Sequence, residues 1–99
     1  MKEKIFELYV DEVCRMFEID RKSLFTKHSG RIVANMRQFL FWICYKRGMT
    51  SPEIHSYLSK YGKYNQTTIL HGVRVFSKKA ESDLDIVRME RKIRESISI

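Results

Sequence analysis

The chain has 99 residues, 43% of them hydrophobic and 12% aromatic, which suits one domain with a packed core. No run of about 18 apolar residues occurs, so no membrane span is predicted, and the acidic first segment does not resemble a secretory signal.

The net charge of +7 is unevenly distributed along the chain. Residues 21–79 contain twelve Lys or Arg and one acid, Glu53, whereas residues 1–20 carry a charge of −3. This central basic block predicts a polyanionic partner such as nucleic acid.

Helical periodicity runs through the chain, and four Gly with a single Pro favour long helices over short strands. Apolar residues at helical spacing predict a first helix over about 3–18. Asp20 can cap a short turn that follows, and Ser29 with Gly30 predicts a loop before the next helix.

A second long helix is predicted over about 31–47, with an apolar face that begins at Ile32. Its stretch FLFWICY is apolar almost all round, so neighbouring elements are expected to cover it on several sides. Gly48 is expected to end this helix, and the sequence therefore places it at the centre of the fold.

Thr50, Ser51 and Pro52 open the next helix. Either Ser51 caps it, with Pro52 at the first helical position, or Thr50 forms a capping box with Glu53; the sequence leaves both open.

After a turn containing Gly62, a helix is predicted over about 66–78 with Asn65 as its cap. A last helix is predicted over about 82–97 with Ser82 as its cap, and part of its irregular apolar stripe is expected to meet a partner chain. The expected architecture is all-α: a compact bundle of about five to six helices containing a helix-turn-helix, forming one domain over 1–99 with a core of about 10–77.

The order of a short helix, a turn and a second helix, in a basic surround, is that of a DNA-binding helix-turn-helix. In this motif the N-terminal residues of the second helix contact base edges in the major groove. Asn65 and Gln66 can pair with adenine, and the methyl group of Thr67 can pack on that of thymine. His71, Arg74 and Lys78 follow Thr67 at helical spacing, on the face opposite the apolar stripe.

Three segments, RIVANMRQ at 31–38, SPEI at 51–54 and QTTILHG at 66–72, resemble the C-terminal DNA-binding domain of the bacterial replication initiator DnaA. That domain belongs to the TrpR-like helix-turn-helix group, and the resemblance covers about residues 10–77. It implies that Arg31 enters the minor groove and that Arg37 and Gln38 lie near the phosphate backbone.

The resemblance also places the family's four base-reading positions, R-D-H-T, on residues 64–67. Thr68 and His71 fall on the second threonine and the histidine of the family's HTTVLHA motif. Three of the four reading positions differ, being Tyr64, Asn65 and Gln66 here, and the turn before them is three residues longer than expected of the family. A target sequence other than the initiator's own is therefore expected.

The sequence thus predicts sequence-selective binding of double-stranded DNA, with a role in replication or transcription regulation. The residues predicted to contact DNA are Arg21, Lys22, Lys27, His28, Arg31, Arg37, Gln38, Lys63, Tyr64, Asn65, Gln66, Thr67, Thr68, His71, Arg74 and Lys78. A bacterial cytosol or nucleoid is the expected location, in a host or a phage.

Two alternatives stay open: a protein-interaction module, acting as an adaptor or decoy for an initiator, and a binder of single-stranded nucleic acid or RNA. A homodimer or a replication or transcription protein is a possible partner, and no membrane is expected. No enzyme is predicted, because no nucleophile, base and orienting group recur at a suggestive spacing. Neither a phosphate-binding G-x-x-x-x-G-K-[ST] motif nor close Cys and His pairs occur, so no cofactor or metal is expected.

Overall fold

The computed structural model describes residues 2–27 and 30–97. These residues form six helices and no strand, which confirms the predicted all-α bundle. The helices are α1 Lys2–Phe17, α2 Arg21–Leu24, α3 Arg31–Lys46, α4 Ser51–Leu58, α5 Gln66–Ala80 and α6 Leu84–Ser96. Within the same residues, no helix has both the length and the apolar character needed to cross a membrane.

Helix α1 packs its apolar stripe on α3 and also contacts α2 and α4. Asp20 begins α2 as predicted, because its carboxylate accepts the Ser23 backbone N–H at 2.6 Å. Leu24 and Phe25 are buried, so α2 and the residue after it are fixed to the core. These two residues therefore anchor the basic segment, which comprises residues 21–31.

Helix α3 lies at the centre of the bundle and contacts α1, α2, α4 and α5. All six residues from 39 to 44 are buried, as their nearly continuous apolar character predicted. The prediction for Ile32 was wrong, since its side chain is 72% exposed. Ile32 lies in the first turn of α3, at the edge of an open apolar groove lined by Phe17, Met36 and Met89.

Helix α4 starts with the capping box. The Glu53 backbone N–H donates to the Thr50 hydroxyl at 3.3 Å, and the Thr50 backbone N–H donates to the Glu53 carboxylate at 2.9 Å. This decides between the two caps that the sequence allowed. Helices α4 and α5 contact each other and are joined by residues 59–65, so they form the predicted helix-turn-helix pair.

Helix α6 packs on α5, and Ile93 and Ile97 bury their side chains in the core. The predicted cap, Ser82, was wrong: Asp83 is the N-cap, and its carboxylate accepts the Asp85 backbone N–H at 3.0 Å. Ser82 and Asp83 both have side chains that can cap a helix. Because residues 81 and 82 form the turn that follows α5, Asp83 is the residue that caps α6. Leu84, the first residue of α6, is 66% exposed.

Candidate nucleic-acid interface

The N-terminus of α5 presents a row of polar side chains to solvent. Asn65 caps the helix, because its side-chain oxygen accepts the Thr68 backbone N–H at 2.8 Å and the Thr68 hydroxyl at 3.0 Å. This bond fixes the side-chain amide of Asn65 at the end of the helix, with its NH₂ group as a donor. Gln66 and Thr67 are exposed beside it.

Helix α5 has two well-separated faces. Ile69, Val73 and Phe76 are buried against the rest of the bundle. On the other side, the predicted outer row is exposed over its whole length. Its members are Thr67, His71, Arg74 and Lys78. The outer face of α5 is therefore both accessible and basic over three turns of helix.

The basic segment before α3 lies beside the start of α5. The Lys27 ammonium donates a hydrogen bond to the Lys63 carbonyl oxygen and lies 4.8 Å from the centre of the Tyr64 ring. Lys27 and Lys63 border a cleft of about 280 Å³, which Gln38 borders from α3. Two exposed lysines distant in sequence are thus gathered at the N-terminal end of α5.

Lys22 and Arg31 are also exposed, at the two ends of the basic segment. Arg31 is the first residue of α3 and follows Gly30, whose φ of 93° is rarely adopted by other residues. Lys22 lies within α2, which is anchored through Leu24. His28 was also predicted to contact DNA, and it lies outside the described residues.

Arg21 does not belong to this surface, which corrects the prediction. Its guanidinium pairs with the carboxylates of Glu7 and Asp11 on α1 and donates to the Tyr61 hydroxyl. Burial opposes the charged form of Arg21, but these acidic partners outweigh it and raise its pKa above the ordinary value. The positive charge of Arg21 is therefore used within the protein, between α1 and the turn before α5.

Arg37 is also a correction, because its side chain is only 8% exposed. Its Nη1 donates to the carbonyl oxygens of Leu24 at 2.7 Å and Thr26 at 3.0 Å. Those bonds satisfy backbone groups at the end of α2, so Arg37 holds the basic segment in place instead of facing a phosphate. Its neighbour Gln38 is half-buried against α5, although it borders the cleft.

Tyr64 does not project as a base-reading side chain would. It is half-buried, and its hydroxyl donates to the Phe25 carbonyl oxygen at 2.9 Å. Burial raises the pKa of Tyr64, with the nearby positive charge of Arg37 acting against it, so the hydroxyl is a hydrogen-bond donor at neutral pH. The resemblance had placed a reader at this position, and here the side chain points back toward α2.

Several groups that hold the surface together were not predicted from the sequence. They include Tyr61, whose ring stacks on that of Phe25 with centroids 4.3 Å apart, and whose hydroxyl donates to Glu7 at 2.6 Å. They also include the backbone carbonyl groups of residues 24–26, which accept from Arg37 and Tyr64. No local signal marks these groups, because each partner lies at least eleven residues away in the chain.

Searches of protein-family models, of curated proteins and of solved structures found no match to this chain.

Proposed function

We propose that this protein binds double-stranded DNA with sequence selectivity, inserting the N-terminal half of α5 into the major groove. The observation that carries this proposal is the outer face of α5, where polar and basic side chains are exposed from the cap onward. An α-helix fits the major groove of B-form DNA, and helix-turn-helix proteins use the N-terminal part of the second helix to contact bases.

The base-contacting residues in this proposal are Asn65, Gln66 and Thr67. Gln66 and Thr67 are exposed, and the Asn65 cap leaves its NH₂ group as a donor. Amide side chains pair with adenine, and a threonine methyl group packs on the methyl group of thymine. These residue types favour a site that contains A·T pairs. Tyr64, Asn65 and Gln66 stand where the resembled family has R-D-H, and this difference supports a target other than the initiator's own.

Phosphate contacts would come from both sides of the reading helix. Lys22, Lys27 and Arg31 are exposed in the basic segment, and Lys63 lies beside Lys27. Arg74 and Lys78 are exposed further along α5. Side chains of this type supply affinity and orientation by pairing with phosphates, while base contacts supply selectivity. The cellular setting in this proposal is a bacterial cytosol or nucleoid, in replication or transcription regulation.

A fluorescence-anisotropy titration with a mixed-sequence duplex tests the proposal. Binding is expected to tighten as the salt concentration falls, because every phosphate contact releases condensed counterions. Lys27→Ala is expected to weaken binding to all duplexes alike and to lower the salt slope by about 1. Lys4→Ala, which removes an exposed lysine from α1, is the matched control and should bind as the wild type does. No binding near 50 mM salt would overturn the proposal.

Selection of bound duplexes from a random pool would then define the site. Replacing Gln66 with Ala is expected to cost about 1–3 kcal/mol at one base pair and to relax the preference there. A uniform loss on every sequence would remove Gln66 from the base-contacting set. Preferential competition by single-stranded DNA or RNA would instead favour a single-strand binder.

A further inference from the structure

Tyr64 joins the two parts of the proposed DNA surface. It immediately precedes the Asn65 cap of α5, and its hydroxyl donates to the Phe25 carbonyl oxygen at 2.9 Å. Phe25 follows α2 within the basic segment, thirty-nine residues earlier in the chain. This side chain of Tyr64 therefore connects the start of α5 directly to the segment that carries Lys27.

The Tyr64 ring also holds Lys27 directly. The Lys27 ammonium lies 4.8 Å from the ring centre, within the range of a cation–π contact, and donates to the neighbouring Lys63 carbonyl oxygen. A free lysine side chain has several rotatable bonds, and ordering it on binding costs free energy. Against Tyr64 the ammonium is already held at the edge of the cleft, next to the cap of α5.

The space around Tyr64 supports a fixed orientation of its ring. A Cβ at Gly62 would lie 3.3 Å from the ring edge of Tyr64, so the turn packs closely against it. Arg37 donates to the carbonyl oxygens of Leu24 and Thr26, the two residues that flank Phe25 in the chain. The segment 24–27 is therefore held at both sides of Phe25, and of these contacts only those of Tyr64 reach the start of α5.

We propose that Tyr64 is a positioning residue for DNA binding, which holds Lys27 in register with the N-terminus of α5 so that both meet the duplex together. This inference rests on the proposed function and assigns Tyr64 a role different from base contact. Preorganisation of this kind raises affinity without adding a contact to the DNA. It makes Tyr64 and Lys27 act as one unit in binding.

The test uses Tyr64→Phe, which removes only the hydroxyl, in the full chain. The variant is expected to bind duplex about three- to tenfold more weakly, since one hydrogen bond between the two parts is lost. Its base preference should be unchanged. Tyr45→Phe is the matched control: it removes the hydroxyl of a tyrosine that is 49% exposed on α3, about 20 Å along that helix from Arg31. This control should bind as the wild type does.

A double-mutant comparison separates positioning from a general structural role. If Tyr64 acts by holding Lys27, Tyr64→Phe should have little further effect once Lys27→Ala is present. In the wild-type background, Tyr64→Leu, which also removes the ring, should weaken binding more than Tyr64→Phe does. In the Lys27→Ala background, Tyr64→Leu should have as little further effect as Tyr64→Phe. Thermal melts followed by circular dichroism check that each variant is folded at the titration temperature.

Three results with the variants, and one with the wild type, would overturn the inference. Unchanged affinity of Tyr64→Phe would show that the hydroxyl positions nothing, and an altered base preference would make Tyr64 a base-contacting residue. An equal loss with and without Lys27 would indicate an effect independent of that lysine. Failure of the wild type to bind any duplex would overturn both this inference and the proposed function. The wild-type titration detects that failure before any variant is compared.

Discussion

Gly72 in α5 lies directly against Gln38 in α3: a Cβ at Gly72 would be 3.1 Å from the Gln38 Cγ and 3.2 Å from its Cα. The two helices therefore approach each other at a point where one has no side chain. A glycine inside a helix costs about 1 kcal/mol relative to alanine, and close packing explains why it occurs here. Helix α5 thus packs on the central helix α3 through a face that includes Gly72, while its outer face stays exposed.

Replacing Gly72 with Val should lower the free energy of unfolding by about 1–3 kcal/mol, because the added side chain forces α3 and α5 apart. Ser77→Val places the same residue at an exposed position of α5 and controls for the low helix propensity of valine. Urea denaturation of both variants is the measurement. If Gly72→Val lowered the free energy of unfolding no more than Ser77→Val does, the contact between α3 and α5 would accommodate the added side chain without loss of stability.

The Glu7 carboxylate should make stability depend on pH. Burial acts to raise the pKa of Glu7, but hydrogen bonds from Lys60, Tyr61 and Arg21 outweigh it and lower the pKa below the ordinary value. A lowered pKa in the folded state gives stability that is present at neutral pH and is lost as the pH falls through that lowered value. Protonation of Glu7 in acid therefore weakens the connection between α1, α2 and the turn before α5.

Glu7→Gln should accordingly cost about 1–2 kcal/mol at pH 7 and flatten the fall in unfolding free energy as the pH drops below about 5. Tyr61→Phe, which removes one of the bonds that lower the Glu7 pKa, should give an intermediate slope. Urea denaturation at a series of pH values measures both. Parallel curves for the wild type and Glu7→Gln would contradict this prediction.

The parts of the fold that depend on local sequence were predictable. Asp20 and Asn65 were identified as caps because a cap acts on the backbone within three residues of itself, and both bonds are present. The four long helices begin and end within two residues of their predicted bounds, since apolar residues recur at helical spacing in each. Exposure of the outer face of α5 followed from the same periodicity.

The destinations of three long side chains were not predictable. Arg21, Arg37 and Tyr64 have the residue types expected at a DNA surface, and each is bonded within the protein instead. Their partners lie between 10 and 40 residues away in the chain. Composition and periodicity carry no information about such distances, so the basic block of the sequence overstated the number of cations that face solvent.

The cap of α5 offers a way to separate folding from base contact at one residue. Asn65→Ala should lower the free energy of unfolding by about 1 kcal/mol, because the Thr68 backbone N–H loses its acceptor. Asn65→Asp keeps an acceptor at the same place and adds a negative charge that the helix N-terminus favours, so stability should be retained. Duplex binding by Asn65→Asp should still weaken, and its preference should shift, because a carboxylate repels phosphates and accepts from cytosine in place of pairing with adenine.

The matched control for this prediction is Thr50→Ala, at the cap of α4. It removes the acceptor of the Glu53 backbone N–H and should cost about the same stability, again about 1 kcal/mol. Thr50 lies at the start of the first helix of the helix-turn-helix pair, outside the proposed base-contacting row, so its loss should leave base preference unaltered. Urea denaturation and selection from a random duplex pool measure the two effects separately. If Asn65→Asp selected the same sequences as the wild type, Asn65 would be a cap alone, and base contact would be left to Gln66 and Thr67.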